Sequence, residues 1–178
     1  MPTCEEIVLM AAYNADMNQK LYAAAATLSH EQLVADRKAF FGSLLNTMCH
    51  IEVADIVWLK RFASHPAAFP ALQATRELPM PPALDQPIAA NLADWLELRR
   101  KLDAIISAWA AQVREADLAH PFFYANMKGD QFSRRFGSVV LHFFNHQTHH
   151  RGQASTLLSQ EGVDIGVTDF LAWVPTIA

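Results

Sequence analysis

Residues 138–161 read SVVLHFFNHQTHHRGQASTLLSQE, and their spacing decides the fold. Val139, Phe143, His146, His150, Gln153 and Leu157 recur at steps of three and four, which places them on one strip of an α-helix. Gly162 follows as a C-cap, so the spacing predicts a helix over 138–161. His146 and His150 stand on that strip where a simple helix bundle would carry leucine. The helical period thus comes with a chemical anomaly.

The same period appears upstream. Thr3 and Glu6 match a capping box, and Ile7, Met10, Ala11, Asn14, Met17, Asn18, Leu21 and Ala25 continue it, predicting a first helix from about 3 to 28. Ser29 with Gln32 repeats the box, suggesting a short helical turn that leads to Gly42 and Ser43. Leu44, Leu45, Met48, Ile51, Asp55, Ile56, Leu59 and Phe62 outline a second helix to about residue 63, ending before Pro66. Six of the nine prolines lie between 66 and 87, where they remove the N–H groups regular structure needs, so this stretch reads as a long crossover. Asn91 caps a third helix to about 115 whose apolar stripe runs from Leu92 and Trp95 to Trp109 and Val113. Pro121 to Phe136 reads as a short hairpin or an ordered loop. The last sixteen residues form an irregular tail whose Phe170, Leu171, Trp173 and Val174 either pack on the bundle or seal a subunit interface. The expected architecture is all-α: one domain, residues 1–178, built as a four-helix bundle with a long crossover between helices 2 and 3.

Composition narrows the function classes. Twenty-nine alanines against six glycines favour helix, and the 52% hydrophobic content supports a sizeable core. Fourteen basic against eighteen acidic residues leave a formal charge of −4, with no basic excess for a phosphate backbone, so no nucleic-acid partner is expected. Glycine is too scattered for a dinucleotide or Walker fingerprint. Cys4 and Cys49 suggest neither a disulfide framework nor a paired-cysteine zinc motif. The acidic MPTCEEIVLM start and the absence of a long apolar run predict a cytoplasmic chain with no membrane contact.

His146 and His150, one turn apart, can converge on one cation; alternatively they are surface or hydrogen-bonded core histidines. His142 stays a candidate ligand two turns away, whereas His149 points about 100° from His150 and reads as peripheral. Gln147 stands where a zinc protease would carry its general-base Glu, which argues against that class. The natural third ligand is His50, near the inward stripe of Met48, Ile51 and Leu59, with a buried imidazole bonded to a carbonyl as its alternative role. Asn46 lies one turn before it and is a candidate for orienting it. Cys49 reads as a packing residue, and Glu52 should face elsewhere.

The runs MAAYNADMNQKLY (10–22), FFGSLLNTMCHIEVADIVWLKRF (40–62) and LHFFNHQTHHRGQASTLL (141–158) resemble the DinB family, which is grouped with YfiT-like metalloenzymes. The resemblance spans nearly the whole chain. It implies a four-helix bundle, usually a homodimer, with a metal triad matching His50, His146 and His150 and with zinc or nickel as the usual metals. Family relatives include transferases and isomerases that use low-molecular-weight thiols, so such a thiol is the implied partner. First-helix residues of the family match Tyr13 and Asn14, which either hydrogen-bond near the pocket or, the preferred reading, fix helix packing. Two functions follow as expectations: a metal-dependent enzyme of thiol-transferase or hydrolase type, or a non-catalytic metal-binding stress or scaffold protein acting as a dimer.

Overall fold

A computed structural model of the chain describes residues 1–84, 89 and 91–176; Pro87 of the crossover and the last two residues of the tail lie outside them. Helix α1 (Cys4–Ala25) opens on the expected capping box, with the Thr3 hydroxyl accepting from the Glu6 N–H and the Glu6 carboxylate accepting from the Thr3 N–H. It is shorter than the spacing predicts, because residues 26–28 close into turns. The Ser29–Gln32 box caps a short α2 (His30–Val34), and Ser43 caps α3 (Leu44–Phe62). The crossover is less irregular than its prolines suggest. Pro70 sits at the start of a 3-10 helix, Pro70–Glu77, where a missing N–H costs nothing.

Helix α4 (Leu92–Ala110), capped by Asn91, stops short of the expected 115, and a separate α5 (Glu115–Ala119) follows. The open choice at 121–136 resolves as a hairpin: β1 (Pro121–Ala125) pairs antiparallel with β2 (Gln131–Arg135), Pro121 opposite Arg135. Its turn is held by the Asn126 side-chain oxygen, which accepts from the N–H groups of Lys128 and Asp130. Helix α6 (Phe136–Gln160) follows β2 directly, two residues earlier than expected, and Gly162 at φ +74° ends it in a Schellman arrangement. There Val163 N–H donates to Leu158 and Gly162 N–H to Ser159.

The fold is mostly helical. Helix α1 packs on α4 and α6, and α3 packs on the same two, so the four long helices form a ring. Two apolar clusters fill it. One surrounds Phe62, Trp109, Phe136 and Phe143, and the other Leu21, Leu44, Trp95 and Leu158. No helix among the described residues is long and apolar enough to cross a membrane.

His65, in the turn after α3, is buried against Phe69 and Phe136 and accepts at Nδ1 from the Ala67 N–H. Burial, and then the neighbouring His120, lower its pKa from the ordinary 6.5. The folded state therefore holds fewer protons than the unfolded chain, and this contribution to stability is full above about pH 6.5 and lost as pH falls below it. Urea unfolding of metal-stripped protein between pH 7 and 5 should show a shallower loss of stability in His65→Asn, whose amide oxygen can still accept from Ala67. An unchanged slope would remove His65 as a source of acid sensitivity.

Candidate metal centre

The pairing of α3 with α6 brings together the three histidines the spacing singled out. His50 Nε2 lies 3.2 Å from His146 Nε2, and His150 Nε2 lies 3.1 Å from the same atom. All three ligand atoms fall within 4.8 Å of one another. A tetrahedral ion with metal–nitrogen bonds of about 2.0–2.1 Å sets its ligand nitrogens about 3.3–3.4 Å apart, so His50 and His150 need only move outward from His146 by a few tenths of an ångström to fit such a site.

Hydrogen bonds at the far side of two rings set their tautomers. The Leu84 carbonyl, 2.9 Å from His50 Nδ1, can only accept, so Nδ1 carries the proton and Nε2 the lone pair. Gln153 Oε1 does the same for His150 Nδ1 at 2.7 Å. Two lone pairs thus face His146 Nε2, and one proton there serves only one of them well; a divalent cation serves all three. The charged imidazolium is disfavoured, since burial and then His150 and His50 lower the His146 pKa to about 3, so the ring is neutral and has a lone pair to offer a cation. The donor set fits a divalent transition-metal ion, which imidazole nitrogens suit. Gln153→Ala should leave the fold intact but weaken metal affinity about 10–100-fold, read by chelator competition. Unchanged affinity would mean that the amide does not support His150.

The other candidates take different places. His142 is exposed, with its ring edge on Trp58, and does not join the cluster; His149 is exposed beside His150. Asn46 is exposed. Its side chain donates to the Phe41 carbonyl at 3.1 Å. Phe41 in turn stacks on His50, centroids 4.2 Å apart, and meets His150 edge-on at 5.4 Å. Tyr13 donates to the Thr168 carbonyl and packs on Phe170 and Trp173, tying the tail to α1. Asn14 accepts from the buried Arg151. Cys49 is buried in the second apolar cluster.

The spacing missed a polar network beneath the site. Asp55, on α3, accepts from Arg99 Nη1 at 2.6 Å and from Gln147 Nε2 at 2.7 Å. Asp103 pairs with Arg99 at 3.0 Å and accepts from Asn18, whose own oxygen accepts from Arg151. Glu52 does face away from the centre, but it is fully buried and accepts from the Tyr22 hydroxyl; burial raises its pKa to about 8. Gln147, adjacent to His146, is therefore a structural clamp between α6 and α3.

The sequence profile of the DinB family matches residues 1–175. The chain belongs to the DinB family. No curated protein and no solved structure matches it. Membership covers the elements that build the centre, since His50 on α3 and the His146–His150 pair on α6 both lie inside the match. For this DinB chain, family membership and a three-histidine group able to hold a metal ion are both compatible with metal binding.

Proposed function

We propose that this DinB-family chain is a single-domain four-helix bundle that binds one divalent ion, zinc or nickel, through His50, His146 and His150 and acts as a metal-dependent enzyme of thiol-transferase or hydrolase type. The observation that carries the reading is the pair of Nε2 lone pairs, each fixed by a partner at Nδ1, that converge on His146 Nε2. Three neutral imidazoles leave the ion's charge uncompensated, and such an ion supplies Lewis acidity that favours the ionised form of a water or thiol near neutral pH. The protein's part is to hold the three rings, through Leu84 and Gln153, and to place the Phe41 ring beside them, where it restricts water. Elemental analysis should give one ion per chain. Thiol transfer to model electrophiles, or hydrolysis of model esters and amides, should proceed in metal-loaded and not in metal-stripped protein. Equal rates in both samples across these substrates would overturn the enzymatic reading.

A second reading, a dimeric metal-binding scaffold, draws on the tail. Leu171 is 72% exposed and Val174 41%, and Val174 lines, with α1 and α6, an apolar groove of about 580 Å³ that includes Ile7, Met10, Leu141, Phe144 and Phe170. Such a patch suits burial in a homodimer. Light scattering at tens of micromolar should give a dimer for the full chain and a smaller species after removal of residues 170–178. A monomer in both would end the dimer proposal.

A further inference from the structure

Phe40 is the most exposed of the large hydrophobic side chains among the described residues, at 87%, and it lies next to the candidate metal centre. Its ring meets Phe41 edge-on with centroids 4.8 Å apart, and Phe41 is the ring stacked on His50 and edge-on to His150. The two phenylalanines thus form a continuous aromatic wall from the imidazoles out to solvent.

The loop that presents them is held in place. Ala39 bridges Gly42, whose N–H donates to the Ala39 carbonyl at 2.8 Å, and Arg37 N–H donates to the Gly42 carbonyl at 2.7 Å. Gly42 takes φ +77° and Lys38 takes φ +56°, the latter an unfavourable region for a residue with a side chain. Asn46 fixes the Phe41 carbonyl from α3, and Arg37 forms an ion pair with Glu161 at the end of α6. The loop is therefore tied to both helices that carry the histidines. Lys38 takes its backbone from Asp36, whose carboxylate accepts from the Lys38 N–H at 2.9 Å, but a connection between α2 and α3 does not need an aromatic ring in water, and a ligand that buries that ring accounts for it.

We infer that Phe40 and Phe41 form an aromatic subsite that selects, at the three-histidine centre, a substrate carrying an aryl or other flat apolar group close to its metal-binding atom. The inference rests on the metal reading above and adds the class of molecule that reading left open. Rings prefer edge-on or offset contact with aromatic partners, the arrangement that Phe40 and Phe41 already adopt with one another.

The test uses full-length protein loaded with cobalt(II) and two thiols of near-equal basicity, 2-phenylethanethiol and ethanethiol, each titrated through the thiolate-to-cobalt absorption band. Wild type should bind the phenyl thiol about tenfold more tightly, a ratio falling to about two- to threefold in Phe40→Ala while the cobalt content stays the same. Phe40→Trp should restore the preference. An unchanged ratio in Phe40→Ala with cobalt in place would overturn the subsite and leave the metal reading standing. Absence of cobalt uptake in wild type would overturn the metal reading and this inference with it. If Phe40→Ala instead dissociates a dimer in light scattering with the ratio intact, the pair belongs to an interface between copies and the inference is wrong.

Discussion

Asp55→Ala should destabilise the protein by about 3–5 kcal/mol, the loss expected when one partner of a buried ion pair is removed and the other remains. Asp55 and Arg99 are 1% and 2% exposed at their side chains, and Asp55 also accepts from Gln147. Truncation strands a guanidinium and an amide at once. Arg99 retains Asp103 at 3.0 Å, which limits the loss but does not cancel it, because Asp103 already accepts from Asn18. Urea or guanidinium unfolding of metal-stripped protein reads the effect. The double variant Asp55→Leu with Arg99→Met should recover much of the stability, since apolar groups of similar volume often replace a buried pair at no net cost. A single-variant loss under about 1 kcal/mol would show that water or rearrangement already compensates the pair. Because Gln147 precedes Thr148 and follows His146, loss of its bond to Asp55 should also loosen the angular setting of α6 on α3.

How far the sequence carries depends on whether a feature is local. The helix starts at Thr3, Ser29 and Asn91 were legible because a cap is a bond between residues two or three apart. His146 and His150 were legible because one helix fixes their separation. His50 was reached by its helical phase and by the family resemblance. The polar network was not legible, since Asp55 meets Gln147 across 92 positions and Arg99 across 44. No periodicity marks such a pair; Asp55 read as one member of an otherwise apolar stripe, and Arg99 falls within the span of the third helix's stripe. Polar residues on the buried phase of two predicted helices were the available signal. Phe41 was hidden for a different reason: its role comes from a loop whose backbone is set by Gly42 and Asn46, and loop geometry has no repeat to read. Asn46 was picked out for its place one turn before His50, and the structure has it bonding the Phe41 carbonyl.

His146→Ala should abolish metal binding, with an affinity loss beyond the ~10–100-fold expected for an outer partner such as Gln153. His146 is the atom both other nitrogens face, at 3.1 and 3.2 Å, so its removal leaves His50 and His150 without the vertex that closes the site. Thermal unfolding separates this role from a structural one. An ion that binds only the folded wild type stabilises it by about 2.7 kcal/mol at a hundred times its Kd, seen as a rise in Tm. In His146→Ala that rise should vanish. The Tm of the metal-free variant should differ little from metal-free wild type, because the ring is only partly buried and its removal relieves two facing lone pairs. The opposite pattern, a lowered metal-free Tm with the metal-induced rise retained, would make His146 a packing residue. Gln153→Ala gives the intermediate case, a smaller rise at equal metal concentration, because the metal ligands remain and only the bond fixing His150 is lost.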